Sequence, residues 1–208
     1  ILPADTSWLG DAEPAVAKPL DQRRPVDSGH VESIAAVLRS SAPAAILIGG
    51  SACFTAGLRS ARAVAAATGA KLLCETFPAR MERGAGIPGV DRLAYLGELA
   101  AMQLDGIRHL VLLDAKAPVS FFAYPGKPSS LVPAGCDVLE LAGPADDAVG
   151  ALQALAAALD APDFPSESAA VPALPTGALT AETVAAALGA LLPEGAIVSD
   201  EGNTSGLF

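Results

Sequence analysis

The sequence predicts an α/β protein with a mostly parallel sheet and helices on both faces, a Rossmann-like arrangement. Two observations lead to this prediction. Short, continuously apolar runs alternate with longer segments of helical spacing, and such runs are typical of parallel strands buried on both faces. Strands that alternate with helices favour right-handed βαβ units. The alternation extends from about residue 28 to residue 160.

The elements follow in a regular order. The first helix begins at Asp27 or Ser28, which are good N-caps, and its apolar residues recur at helical spacing: Val31, Ile34, Ala35 and Leu38. The segments that follow are the strand AAILI, a helix closed by Gly69, the strand AKLLCET, a helix over residues 90–106, the strand IRHLVLLDA, the strand CDVLELAG, and a helix with Pro144 near its start.

Less regular segments flank this central domain. Residues 1–27 carry four prolines among charges and predict an extended connector. Residues 161–177 are rich in Pro, Ala and Ser and predict a linker. Residues 178–208 then offer a helix opened by an imperfect capping box at Thr180, and a further strand, AIVSD. This last unit looks like the beginning of another α/β domain.

Charge and hydropathy exclude several classes of partner. Lys and Arg number 13 against 23 Asp and Glu, which gives a net charge of −10. Nucleic acid and anionic membrane surfaces both need a basic surface, so neither partner is expected. No apolar run reaches the length of a membrane span, and no secretory signal is visible. The three cysteines are widely spaced beside apolar residues, as expected for reduced thiols of a cytoplasmic protein.

Ligands of open parallel sheets bind beyond the carboxyl ends of the strands. Gly49, Gly50 and Ser51 connect a strand to a helix there, so they are candidates to approach a nucleotide phosphate at a helix N-terminus. Their pattern is not GxGxxG, and Glu75 is a weak candidate for a ribose-binding acid. A tight turn without a ligand is the alternative explanation of these glycines.

Two further loops carry notable side chains. Arg80 and Arg83, with Lys71 nearby, could bind a carboxylate or phosphate, or their loop could be ordered by packing on a neighbouring domain. The second loop contains three aromatic residues: Phe121, Phe122 and Tyr124. Exposed together, they would form an apolar patch that meets another domain or subunit; folding back as a local cap is the alternative.

The residues alone do not assemble a catalytic centre. His30 and His109 lie far apart on predicted regular elements, and no Cys or His stands at zinc-ligand spacing. Neither a Gly-x-Ser-x-Gly motif nor a P-loop occurs. From spacing alone the prediction is an α/β domain that either binds a nucleotide or anion or has a structural role.

Three segments together resemble the thiamine-diphosphate-dependent family of acetolactate synthase and benzoylformate decarboxylase. ILPADTSW resembles the end of that family's pyrimidine-binding domain. ILIGGSA, GAKLLCETFPARMERGAG and KAPVSFFAYPGKPS resemble its central domain, especially that of acetolactate-synthase-like large subunits. LLPEGAIVSDEGNTSG resembles the beginning of its diphosphate-binding domain. The resemblance implies a central domain with the ends of both flanking domains.

The resemblance also implies cofactors. Gly202, Asn203 and Thr204 would contact the diphosphate of thiamine diphosphate, and Mg²⁺ would be bound by a Gly-Asp-Gly…Asn signature that these 208 residues do not contain. The activating glutamate of the family is likewise expected outside them. Glu201 departs from the biosynthetic acetolactate synthase pattern, which puts acetolactate as the product in doubt. The central domain of some members binds FAD or ADP, and Gly49, Gly50 and Ser51 would face such a nucleotide.

The implied activity is decarboxylation of a 2-keto acid, or ligation of the resulting fragment to an acceptor, by a longer homo-oligomeric enzyme, a dimer or tetramer. The cofactor would act as the electron sink. The 208 residues alone are expected to be inactive. Two alternatives remain open at this stage: a nucleotide-binding module without chemistry, and a structural domain that joins two catalytic ones.

Overall fold

One sheet of five parallel strands forms the centre of the protein. The structure is a computed structural model that describes residues 3–10, 13–19, 21–123, 125–164 and 170–200. The strands are β1 (Ala44–Ile48), β2 (Lys71–Cys74), β3 (Asp91–Arg92), β4 (His109–Leu113) and β5 (Asp137–Ala142). Their order is β3-β2-β1-β4-β5. The chain therefore builds outwards from β1 in one direction and then returns to build outwards in the other.

Helices cover both faces of this sheet, as the sequence predicts. They are α1 (Ser28–Arg39), α2 (Thr55–Thr68), α3 (Gly97–Gln103) and α4 (Ala148–Ala158), with α5 (Ala181–Leu191) following the central domain. Helices α1, α2 and α4 pack together on one face, whereas α3 packs on the other. The predicted α/β class is confirmed.

The central strand β1 shows why the sheet needs cover on both sides. Ile46 and Ile48 belong to the larger apolar cluster beneath α1, α2 and α4. Ala45 and Leu47 belong to the smaller cluster beneath α3. All four are almost completely buried, because successive side chains of a strand point to opposite faces. Burial of each Leu or Ile contributes about 1.5–3 kcal/mol, so this strand anchors the fold.

Helix ends agree with their sequence signals. The Asp27 carboxylate accepts a hydrogen bond from the His30 N–H at 3.0 Å and begins α1. Gly69 ends α2 in the left-handed region at φ 73°, which glycine adopts without steric cost. At α5, Thr180 and Thr183 form a reciprocal capping box. These three predicted boundaries are confirmed.

The predicted helix over residues 90–106 is wrong in its first half. Residues 91 and 92 form the edge strand β3, and the helix begins only at Gly97. Val90 is buried in the larger cluster and Leu93 in the smaller one. Residues three apart share a face in a helix but point to opposite faces in a strand. The i, i+3 spacing of two apolar residues therefore fitted both structures.

One helix boundary and one predicted strand also differ from prediction. Helix α4 begins after Asp147, whose carboxylate accepts from the Gly150 N–H, so Pro144 lies outside the helix. The predicted strand AIVSD, residues 196–200, is neither strand nor helix and is exposed. A strand pairs its backbone groups with a neighbouring strand, and none of the described strands β1–β5 pairs with residues 196–200.

The connector is tied to the central domain at its end. The Arg24 N–H donates to the Ala145 carbonyl at 3.0 Å, and the Asp147 N–H donates to the Arg24 carbonyl at 2.8 Å. Further along the chain, α5 buries none of its residues. Among the described residues, no helix is long and apolar enough to cross a membrane.

Candidate functional site

The strand order identifies where a ligand of this fold would bind. Strands β1 and β4 are neighbours, yet the connections that leave them proceed in opposite directions across the sheet. The crevice beyond the carboxyl ends of two such strands is the usual ligand site of open α/β sheets. Gly49, Gly50 and Ser51 follow β1, and Asp114 follows β4. We call these four residues, with Arg23 and Glu75, the switch-point cluster.

Asp114 is the centre of this cluster. Its side chain is only 8% exposed. One carboxylate oxygen accepts from the Ser51 N–H at 3.0 Å and from the Ser51 hydroxyl at 3.3 Å. The same oxygen accepts from the Arg23 guanidinium at 3.0 Å. Asp114 itself has φ 47°, a left-handed conformation that Asp tolerates better than most residues. The turn after β4 therefore places the carboxylate against the loop after β1.

Arg23 comes from the connector, 91 positions before Asp114. Its Nη1 also donates to the Ser51 Oγ at 2.8 Å and lies 3.5 Å from the Asp146 carbonyl oxygen. Charge-assisted hydrogen bonds of this kind are stronger than neutral ones. One guanidinium thus joins the loops that follow β1, β4 and β5. Sequence reasoning missed this residue, because nothing local distinguishes Arg23 from the other charges of the connector.

The two glycines are explained by the carboxylates that surround them. A Cβ on Gly49 would lie 2.5 Å from the Asp114 carbonyl oxygen and 2.8 Å from the Glu75 Oε1. A Cβ on Gly50, which has φ +45°, would lie 2.1 Å from the Asp114 Oδ2. Both positions require glycine because this chain's own groups approach the backbone closely. No external ligand is needed to account for them.

The backbone donors of the loop are also occupied. The Gly49 N–H donates to the Leu113 carbonyl at 2.9 Å, and the Ala52 N–H donates to the Gly49 carbonyl at 3.0 Å. The Ser51 N–H donates to Asp114, and the backbone of Gly50 hydrogen-bonds to the Glu75 carboxylate. Four consecutive amides thus have acceptors within the protein. A phosphate would have to displace them.

A third carboxylate covers the beginning of α2. Glu82 accepts from the Thr55 N–H at 2.6 Å and also from the Thr55 hydroxyl. These two hydrogen bonds, together with the nearby positive charge of Arg80, lower the pKa of Glu82. The N-terminus of a helix attracts anions, and here a side chain of the same domain is already the anion.

Glu75 is less favourably placed than Glu82. Burial raises its pKa from the usual 4.5, and the negative charge of Asp114 raises it further, while the hydrogen bond from Gly50 lowers it. Desolvation disfavours the charged form of a carboxyl group. The sequence-predicted ribose candidate therefore contacts the glycine loop itself.

The three predicted cations do not form one site. Lys71 begins β2 and donates to the Gln103 carbonyl at 2.5 Å, at the opposite edge of the sheet from the loop that contains Arg80 and Arg83. The Arg80 guanidinium lies 5.6 Å from the centre of the Phe54 ring, a cation–π distance. The loop that contains Arg80 and Arg83 contacts its own domain: the Glu82 N–H in this loop donates to the Cys53 carbonyl at 3.0 Å.

An aromatic surface lies at the carboxyl ends of the strands, as the switch-point cluster does. Phe77 follows β2, Tyr95 follows β3, and Phe121 and Phe122 follow β4. Ring centres of the contacting pairs are 5.3–5.6 Å apart, as in favourable aromatic pairs. The predicted surface position of Phe121 and Phe122 is confirmed, since they are 49% and 44% exposed. Tyr124 lies outside the described residues. We call these four rings the aromatic surface.

An apolar pocket of about 180 Å³ adjoins the aromatic surface. Tyr95 and Phe122 line it together with Leu96 and Leu131. At its rim the Lys127 ammonium and the Glu98 carboxylate form an ion pair at 3.1 Å. This pocket is mostly apolar and can accept an apolar side chain, with the Lys127–Glu98 ion pair at its rim.

Two of the three cysteines lie near the switch-point cluster and are deeply buried. Burial raises the pKa of Cys53 to about 12 and that of Cys74 to about 11. Burial and the nearby Asp137 carboxylate also raise the pKa of Cys136, which is only half-buried. All three thiols are free, and a thiol rather than a thiolate is a poor nucleophile.

The predicted diphosphate residues, Gly202, Asn203 and Thr204, lie outside the described residues. Within the described ranges, no group of three His, Cys, Asp or Glu side chains could hold a metal ion. His30 and His109 lie on α1 and β4 and are separated as predicted.

Sequence comparison identifies a relative of the whole chain. The chain is 55% identical over 213 aligned positions to an acetolactate synthase large subunit-like protein, IlvX, of Mycobacterium tuberculosis. The chain is therefore similar to part of an acetolactate-synthase-like large subunit. The resemblance found in the sequence is thus confirmed. The alignment includes all of this chain but only 40% of that relative. No protein-family model matches the chain.

Solved structures share the fold of this chain. Benzoylformate decarboxylase of Polynucleobacter necessarius superposes with a TM-score of 0.50 at 18% identity, over 84% of this chain and 35% of that one. The thiamine-diphosphate-dependent 4-hydroxybenzoylformate decarboxylase of Rhodococcus jostii gives 0.52 at 12% identity, over 79% and 33%. Identities this low support the fold alone.

Proposed function

We propose that the chain is the central domain, with the ends of both flanking domains, of a thiamine-diphosphate-dependent enzyme that decarboxylates a 2-keto acid or ligates the resulting fragment to an acceptor. The 55% identity to an acetolactate synthase large subunit-like protein over the whole chain carries this proposal. The domains proposed are residues 1–27, 28–160, 161–177 and 178–208.

Helix positions support these divisions. Helix α1 begins at Ser28 and α4 ends at Ala158, so the central domain coincides with the buried core. Helix α5 contributes none of its residues to that core. The first helix of a further domain would look like this: its apolar side would stay exposed because the sheet that covers it is not among the described residues.

The cofactor would be bound mostly by other parts of the enzyme. From this chain, Gly202, Asn203 and Thr204 would hold the diphosphate: glycine permits close approach of the backbone, and amide and hydroxyl groups donate hydrogen bonds to phosphate oxygens. Thiamine diphosphate would supply the electron sink for the carbanion left by decarboxylation. Mg²⁺ would bind outside these 208 residues.

Within the central domain we propose a structural role over a nucleotide-binding one. The occupied amides of residues 49–52 and the carboxylates of Asp114 and Glu75 support the structural role. The enzyme would be a homo-oligomer, with the aromatic surface as one of its contacts. Free cysteines agree with a reducing compartment such as the cytoplasm.

A cofactor-binding experiment tests the proposal. In the full-length protein with Mg²⁺ present, replacing Asn203 and Thr204 by alanine should weaken binding of thiamine diphosphate by about 1–3 kcal/mol for each hydrogen bond to the charged group. Isothermal titration calorimetry measures this loss. Substitution of Ser205, which is next in the chain, serves as the control.

The reaction is tested separately by release of CO₂ from pyruvate and from benzoylformate. The full-length protein should turn over at least one of them, whereas residues 1–208 alone should turn over neither. Turnover by the 208 residues with cofactor and Mg²⁺ supplied would contradict the proposed division of labour. Failure of the full-length protein to bind thiamine diphosphate would contradict the proposed function as a whole.

A further inference from the structure

The crevice between β1 and β4 is the place where a fold of this kind would hold the phosphates of FAD or ADP. Such a ligand needs free amides, room beside the glycines and a local field that favours negative charge. Each of these requirements can be compared with contacts inside the chain, and the comparison does not depend on the proposed enzymatic activity.

Free amides are lacking in the loop after β1. The N–H groups of residues 49, 51 and 52 donate to acceptors of the same domain at 2.9–3.0 Å, and Gly50 hydrogen-bonds to Glu75. At the start of α2, the Thr55 N–H donates to Glu82. A phosphate would need to break several hydrogen bonds, each to a charged acceptor or a buried carbonyl.

Room beside the glycines is also lacking. Oxygen atoms of Asp114 and Glu75 lie less than 3.0 Å from where a Cβ of Gly49 would stand. The space that glycine leaves open for a ligand in other proteins is here filled by the Asp114 carbonyl and by the carboxylates of Asp114 and Glu75. The three acids at the loop, Asp114, Glu75 and Glu82, would repel a phosphate at close range.

The positive charge in the crevice comes from a side chain of the same protein, Arg23. Its guanidinium meets the Asp114 carboxylate at 3.0 Å and the Ser51 hydroxyl at 2.8 Å. Its neighbour Arg24 forms an ion pair with Asp146 at 3.0 Å and pairs its backbone with Ala145 and Asp147. Residues 23 and 24 therefore attach the connector across the ends of β1, β4 and β5.

We propose that the connector closes the crevice: Arg23, bound by Asp114 and Ser51, fixes the connector at the switch point, and this domain does not bind FAD or ADP there. The residues present do not fit a nucleotide phosphate. Arg23 is a positioning residue that holds the connector in a defined place on the central domain.

Arg23→Gln in the full-length protein tests the attachment. Glutamine keeps much of the alkyl chain and removes the charge. Hydrogen exchange of the connector amides at residues 21–27 should become about fivefold to tenfold faster, because a charge-assisted contact with a mostly buried carboxylate is lost. Arg24→Gln is the matched control, since its side chain is 72% exposed and does not reach Ser51; its effect should be less than about twofold.

Nucleotide binding is tested by calorimetric titration of the full-length wild-type protein with ADP and with FAD. The expected result is no binding of either at millimolar nucleotide, together with faster connector exchange in Arg23→Gln only. Binding of ADP or FAD that protects residues 49–55 from exchange would overturn the proposal. Equal exchange in wild type and Arg23→Gln would overturn it as well. Loss of thiamine diphosphate binding is measured separately and concerns only the proposed function.

Discussion

Two regions at the carboxyl ends of the strands differ in polarity and exposure. The switch-point cluster is charged, and Asp114 at its centre is 8% exposed and bound by Ser51 and Arg23. The aromatic surface, which follows β2, β3 and β4, is apolar and half exposed. Polar groups that already have hydrogen-bond partners gain little free energy from a new partner. Burying solvent-exposed aromatic surface, in contrast, contributes about 25 cal/mol for each Å². The comparison favours the aromatic surface, rather than the switch-point cluster, as the contact proposed between domains or subunits.

The largest expected effect is at the closed region. Gly50→Ala should lower the free energy of unfolding by about 3 kcal/mol, because a Cβ 2.1 Å from the Asp114 Oδ2 displaces that carboxylate and a residue at φ +45° is strained. Urea unfolding measures the loss.

Gly69→Ala is its matched control. Gly69 has φ +73° but nothing within 4 Å of its Cβ position, so only the backbone strain applies, about 1 kcal/mol. Equal losses for the two variants would show that the loop after β1 is not closed by Asp114.

Thiol reactivity tests the closed region in another way, with Cys136 as the reference thiol outside it. At pH 8 in the folded protein, Cys136 should react with a thiol reagent at least about tenfold faster than Cys53 and Cys74, because those two are fully buried and their pKa values are raised to about 12 and about 11. Mass spectrometry of the labelled peptides measures the rates. In denaturant all three should react alike; early labelling of Cys53 would mean that the crevice opens.

The aromatic surface should behave in the opposite manner. Phe77 is 62% exposed, so Phe77→Ala should cost the isolated domain less than about 1 kcal/mol of unfolding free energy. In the full-length protein the same change should weaken association between domains or subunits, which light scattering and thermal unfolding detect. Trp8→Ala, at an exposed residue outside the surface, is the control. An equal and small effect in both forms would contradict the contact.

The smallest effect concerns Glu75. Burial and Asp114 raise its pKa above the usual 4.5, so the folded state holds this proton to higher pH than the unfolded state does. The resulting stability is complete below about pH 4.5 and is lost as pH rises through the folded pKa. Glu75→Gln should remove this loss and be slightly more stable than wild type at pH 7. Urea unfolding at pH 4 and pH 7 measures the difference between the two proteins.

Most of the fold was predictable because its signals are local. The apolar runs of β1 and β4, the N-cap Asp27 and the C-terminal Gly69 each indicate their element within a few residues. The edge strand β3 was not predictable in this way, since Val90 and Leu93 have helical spacing but contact opposite faces of the sheet.

The candidate site was predictable only in part. The glycines after β1 lie where other groups of the chain approach the backbone closely, but the sequence could not identify which groups these are. Arg23 and Asp114 are 91 positions apart, and only the fold brings them together. That contact favours the tight-turn explanation of the glycines over the nucleotide-binding one. Gly202, Asn203 and Thr204 remain predictions.

The nucleotide content of the purified full-length protein tests most directly whether the crevice is closed. The protein is denatured, and the released small molecules are separated by chromatography and quantified against protein concentration. The account predicts less than about one-tenth of an equivalent of FAD or ADP, because Asp114, Glu75 and Arg23 fill the site that either would need. One equivalent of FAD or ADP released per chain would contradict it.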